Sequence, residues 1–312
     1  MISAVLLAVV NASIFSLGGV GEDVSIFREP FFSTTRLAQI EFTMQPEFNI
    51  LSEDSDFRGL FRTNPFNFRI AVPVVKGIIF GVGNCERFSQ SFDIYSQRSS
   101  LELHVMGDGG VEEAYLDVGW HFGIGQVALR GSYLFGNACE VWNYYIGDYS
   151  IADTFLYKYS GRIFCGGIKI KPLFLSYEAG GELVVEDADG DTTIGLAERM
   201  LVGVISPTIA DIRITAAFEH SFWDGDDHTS PNRFKLTFAK KVYAFDYYFN
   251  PWYLEGVTEH GFSFLLKLPI HRVGLITFDL KTSLRKRGDL KEIKFIPEIK
   301  LSIRELFAKR KK

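Results

Sequence analysis

Cysteine is scarce in this chain. Cys85, Cys139 and Cys165 are odd in number and widely spaced, which excludes a disulfide framework and any CxxC zinc spacing. Long apolar runs are missing: no internal stretch approaches the ~20 residues a spanning helix needs, so a helical membrane protein is excluded. An excess of positive charge is missing too. The formal net charge is -5, which argues against a nucleic-acid surface. No GxSxG, HExxH or GxxxxGK[ST] string occurs, and the six His are scattered, so nothing points to an enzyme or a cofactor.

What is present is aromatic and alternating. Phe numbers 29 and Tyr 13, a bias toward strands and toward surfaces that are half apolar and half wet. In EEAYLDVGWHFG, Ala114, Leu116, Val118, Trp120 and Phe122 share one face, and Glu113, Asp117 and His121 the other. Val127, Leu129, Tyr133 and Phe135 oppose Gln126, Arg130 and Ser132. The same period of two recurs in DIRITAAFEHSF, GFSFLLKLPI, GLITFDLKTS and IKFIPEIKLSI. These segments run roughly 9–12 residues, the length of a tilted membrane strand rather than the ~5–6 common in soluble domains. Charges on a lipid face would be costly, so Glu113, Asp117, His121, Arg130, Arg213, Glu219, Lys267, Asp279, Lys281, Lys294, Glu298 and Lys300 are expected to face a lumen. Their mixed signs predict a filled or plugged interior.

Tight turns are expected at 122–125, 171–172, 207–210 and 269–274. Long polar outer loops are expected at 136–156, 186–196, 223–232 and 249–258, with Trp142, Tyr144, Tyr145, Trp223, Trp252 and Tyr253 near their edges as an aromatic girdle. The fold expected is therefore all-β, a transmembrane antiparallel up-and-down barrel of about 14 strands. Residues 1–16 read as a signal peptide with a small-residue site at Val10-x-Ala12, although no Lys or Arg precedes Arg28. Residues 17–36 read as an extension or reduced plug, 37–307 as one barrel whose last strand pairs with the first near 37–46, and 308–312 as a basic periplasmic tail. The string Asp187-Ala-Asp189-Gly-Asp191 reads first as a solvated hairpin tip. A metal reading would use Asp187, Asp189 and Asp191, but Thr192 stands where a calcium loop needs Gly.

The chain resembles the FadL-like outer-membrane barrels, the long-chain fatty acid and hydrophobic-compound transporters. The likeness is carried by GVTEHGFSFLLKLPI, GLITFDLKTSLRKRGD and EIKFIPEIKLSIRELFAKRKK at the end, by SGRIFCGGIKI in the middle, and by GGVGED with NPFNFRIAVPVVKGIIFGVGN near the start. Two departures stand out. REPFFSTT replaces the family's Asn-Pro-Ala plug motif, and five residues follow the terminal aromatic Phe307. The resemblance implies a bacterial outer-membrane location, membrane lipid and the barrel assembly machinery as partners, and a passive channel for hydrophobic small molecules such as fatty acids. On that reading Arg130, Arg213 or Lys267 would meet an acid head group, with Glu219 and His121 beside them. The alternatives left open are a structural or secretion-associated barrel and a soluble double-sheet protein.

Overall fold

The computed structural model describes residues 22–32, 37–53, 56–63, 66–98, 101–188, 190–223, 230–252, 256–270, 274–288 and 290–306. The expected signal peptide and basic tail lie outside these residues.

The strands are β1 (Glu22–Asp23), β2 (Leu37–Met44), β3 (Pro46–Glu53), β4 (Asp56–Thr63), β5 (Asn67–Val75), β6 (Ile78–Ser89), β7 (Phe92–Arg98), β8 (Leu101–Phe122), β9 (Gly125–Ile146), β10 (Tyr149–Ile170), β11 (Leu173–Ala179), β12 (Glu182–Asp187), β13 (Gly190–Gly195), β14 (Glu198–Ile205), β15 (Ile212–Phe222), β16 (Asn232–Lys240), β17 (Tyr243–Pro251), β18 (Thr258–Ile270), β19 (Gly274–Arg287) and β20 (Leu290–Leu306). Five wall strands are each made of two pieces: β2 with β3, β4 with β5, β6 with β7, β11 with β12, and β13 with β14. Joining those pieces and setting β1 aside leaves a closed antiparallel barrel of 14 strands. The seam closes as the sequence predicts, with Leu37 opposite Leu306 and Met44 opposite Ile299.

Alternation sorts the side chains. Leu116, Trp120, Leu129, Phe264 and Phe278 point outward and are exposed, while Glu113, Asp117, Arg130 and Asp279 point inward and are buried. The outer surface is what hydrocarbon would cover; the inner surface is polar. Phe264 sits midway along β18, opposite Phe245 and Leu280 on its neighbours. Phe264→Arg is expected to cost about 2–4 kcal/mol in unfolding from lipid vesicles, and Ile270→Arg, at the turn end, about 0–1 kcal/mol. Equal costs at the two positions would mean that this band does not sit in the bilayer.

One end of the barrel has tight turns, including Lys76-Gly77, Gly123-Ile124, Lys171-Pro172 and Lys241-Val242, and both β2 and β20 reach that end. At the other end the structure corrects two expectations. Residues 136–156 are not a loop: β9 and β10 stay paired from Gly125↔Ile170 to Ile146↔Tyr149, with only Gly147-Asp148 between them. Residues 186–187 and 190–195 likewise belong to the β12–β13 hairpin. Residues 149–156 of β10 are exposed on both faces, so the alternation that marks a wall strand is lost and the sequence resembles a loop. The aromatic girdle is corrected in part: Tyr145 is exposed, but four other members are not turned toward lipid. Trp142 and Tyr144 pack on Phe92, Leu103 and Val105, and Trp252 is buried beside Val257 and Trp223, all within the protein rather than toward lipid. Tyr253 lies outside the described residues.

Candidate functional site

Residues 22–32 run through the lumen, and side chains from around the wall hold them. Glu22 accepts from Arg285 at 2.8 Å and from Lys294 at 2.5 Å. Arg199 binds Asp23 at 3.1 Å and donates to Ser25 Oγ at 3.3 Å. The Phe27 amide donates to Glu219 at 2.8 Å, and Arg28 donates to Glu113 at 2.5 Å. Farther on, Glu29 lies 3.7 Å from Lys169, Phe31 meets Phe174 edge-on at 6.4 Å, and Phe32 lies under the Arg69 guanidinium at 4.6 Å. Burial raises the Glu29 carboxyl above its ordinary value, and Lys169 opposes that shift. The segment thus descends from β6 toward the short-turn end, tied by opposite charge at nearly every step.

Most inward charges are spent on each other. Glu113 also accepts from Ser132 at 2.6 Å and faces Arg87 at 3.9 Å; Arg87 in turn donates to Glu178. Asp117 takes Arg130 at 2.5 Å and Arg69 at 2.8 Å. Arg285 lies over Trp252 at 4.0 Å and pairs with Glu259 and Glu292 besides Glu22. A buried ion is tolerated only when paired and hydrogen-bonded, and these are.

The wall itself is interrupted. The second and third wall strands stay paired up to Phe68↔Asn84 and then separate. Among the described residues, β4 pairs only with β3 and β7 only with β8. At that height β6 pairs instead with the lumenal segment: Glu22 faces Ser89, Asp23 faces Phe88, and the Val24 amide donates to the Arg87 carbonyl at 3.1 Å. Residues 86–90 are buried without alternation, so this piece bends inward while staying paired with β8 as far as Ser89↔Gly110. The β6–β8 register slips there, between Glu86 and Phe88. Gly109 (φ +104°) and Gly110 (φ +152°) on β8 make room for the bend. A Cβ at these positions would stand 2.2 Å from the Asn137 carbonyl oxygen and 2.3 Å from that of Phe88.

No known family's sequence model matches this chain, and no curated protein matches it. Solved structures do. The CymD monoaromatic hydrocarbon channel superposes with a TM-score of 0.55 at 7% identity, over 93% of this chain and 96% of that one. A Pseudomonas aeruginosa FadL homologue gives 0.55 at 8% identity over 89% and 92%. The Ralstonia pickettii toluene transporter TbuX gives 0.54 at 10% identity over 87% and 90%. The chain has the fold of the FadL-type channels.

Within that FadL-type fold the residues singled out from the sequence have separate stations. Arg130 is buried, bound to Asp117 and stacked on Tyr115 at 4.2 Å. Glu219 is buried and paired with Arg233 at 2.8 Å. Arg213 is exposed near the short-turn end of β15, and Lys267 is half-buried on β18. His121 ends β8, and its Nε2 is buried without a partner. Asp187 accepts the Gly190 amide at 3.1 Å and Asp191 is exposed at the same tip, while Asp189 lies outside the described residues. Among the described residues no group of three His, Cys, Asp or Glu could hold a metal ion. Sequence reading missed two cations that hold residues 22–32, Arg199 and Arg285. The signal was there: each is an Arg at an inward position of an alternating strand.

Proposed function

We propose that this chain is a passive channel of the bacterial outer membrane for small hydrophobic molecules, which pass sideways between the lumen and the membrane through the gap beside β4. The gap is the observation that carries this reading. An unpaired strand edge in hydrocarbon is costly, because no water is present to satisfy it. A wall that keeps such an opening and bends its third strand inward at the same height is arranged for something to pass there. The ion-paired segment across the lumen opposes a straight aqueous pore and favours a sideways route. The fold shared with hydrocarbon and toluene transporters agrees with this cargo class, and fatty acids belong to it as well. On this reading the partners are membrane lipid, the cargo and the barrel assembly machinery, and the protein performs no catalysis.

A second reading has its own observation. Strands β7 to β10 rise together above the rest of the wall, and residues 149–157 of β10 have no neighbour on their outer side among the described residues. An anchoring role for another protein would use that edge. Uptake decides between them. Cells carrying an outer membrane and expressing the chain should take up labelled toluene or palmitate about tenfold faster than cells with an empty vector. No gain for either probe would overturn the channel reading and favour the anchor.

A further inference from the structure

We propose that a pocket at the short-turn end of the lumen binds a single aromatic ring bearing an acid group. The inference rests on the channel reading and narrows its cargo. Phe31 and Phe32 of the lumenal segment, Arg69 and Ala71 of β5, Gln39 and Glu41 of β2 and Lys300 of β20 enclose a cavity of about 150 Å³.

Size sets the first limit. An apolar cavity of roughly this volume holds one benzene molecule, and pockets for larger ligands run to ~300 Å³ and above. A long acyl chain does not fit. Phe31 and Phe32 supply aromatic surface against which a ring can pack edge-on or offset.

Charge sets the second. The lining carries two cations, Arg69 and Lys300, and one carboxylate, Glu41. Glu41 is already saturated: it accepts from Gln39 Nε2 at 2.5 Å, Lys300 Nζ at 3.1 Å and Ser302 Oγ at 3.1 Å. Arg69 is not. It gives Nη2 to Asp117 at 2.8 Å and lays its plane over Phe32, but its Nε–H is buried without an acceptor. A carboxylate in the pocket would meet the part of this guanidinium side chain that stays exposed, 20% of it, and the planar group suits carboxylate geometry.

The position gives the site a purpose. A neutral ring can leave the lumen through the gap into hydrocarbon. An ionised one cannot, because an unpaired charge is costly there. The pocket lies at the end where the barrel meets water, at the foot of the lumenal segment, and would hold the ionised solutes that the sideways route rejects.

The test uses the folded full chain in detergent micelles, with benzoate, toluene and palmitate as probes in titration calorimetry. Benzoate should bind saturably at one site. Arg69→Met should weaken it by about tenfold or more, and palmitate should not displace it. Because Arg69→Met also removes a partner from Asp117, Ala71→Leu serves as a second variant. It fills the cavity without touching a charge and should abolish benzoate binding. Toluene binding as tightly as benzoate, in wild type and Arg69→Met alike, would overturn the acid-group claim. Palmitate competing as well as benzoate would overturn the size claim. If benzoate does not bind but cells still take up toluene, the pocket inference fails and the channel reading stands. If benzoate binds as described but uptake of toluene and palmitate is absent, the pocket stands and the channel reading fails.

Discussion

Replacing Arg285 with Met is expected to destabilise the barrel by about 3–5 kcal/mol, the range found when a buried ion pair loses one partner. Arg285 is 4% exposed and holds Glu22 at 2.8 Å, Glu259 at 3.4 Å and Glu292 at 2.5 Å. Removing it leaves three carboxylates in one buried site with Lys294 as the remaining cation close to Glu22. Glu259 keeps Tyr248, Asn250 and Trp252 as donors, which softens its share of the loss. Lys158 offers the control. It pairs with Glu186 at 3.0 Å, but both side chains are largely exposed, and Lys158→Met should leave the unfolding transition where it is. Urea unfolding in lipid vesicles, followed by the gel mobility of the folded barrel, reads both. Comparable shifts for the two variants would show that the lumen is wetted well enough to screen its charges.

The second large effect is on passage. Gly110→Val should lower uptake of hydrophobic solute by about tenfold while the barrel still folds. A branched side chain cannot easily hold φ of +152°, and its Cβ would press on the Phe88 carbonyl oxygen. Strain of this kind costs about 1–3 kcal/mol, which a closed 14-stranded ladder survives. Relief requires the inward-bent piece of β6 to move back toward the wall, where it can meet β4 and close the opening. Gly109→Val presses instead on the Asn137 carbonyl oxygen of β9, on the far side of β8, and serves as the control for strain alone. If uptake persists unchanged in Gly110→Val while the folded barrel is intact, the bend is not what opens the route.

Much of this architecture is legible in the sequence, for a physical reason. Where a strand separates lipid from a lined interior, every second residue must change character, and β8, β9, β18, β19 and β20 carry that period plainly. Of the inward set read from it, Glu113, Asp117, Arg130, Glu219, Asp279 and Lys294 are buried, whereas Arg213 is exposed near the short-turn end. The rule fails where its cause fails. Residues 86–90 are surrounded on both faces, so Glu86, Arg87, Phe88, Ser89 and Gln90 show no alternation. The bend that opens the wall is therefore the part hardest to see in the sequence. Where β10 is exposed on both faces, at residues 149–156, the alternation disappears and the segment reads as loop. The pocket beside Arg69 escaped notice because its lining comes from segments far apart in the chain. Only closure of the barrel brings β5 and β20 to the same place.

That closure has a consequence for how the molecule is made. Almost every pairing in the wall joins neighbours along the chain and can form as soon as its hairpin exists. The seam between Leu37 and Leu306 joins the two ends of the barrel, and loop-closure entropy sets its cost about 3–4 kcal/mol above that of a neighbouring hairpin. It is thus the last ladder to zip, and contact order makes it the slow one. Lys294, on the final strand, also grips Glu22 of the lumenal segment. Closing the seam and seating the segment therefore favour each other, because the last strand brings the cation that Glu22 pairs with.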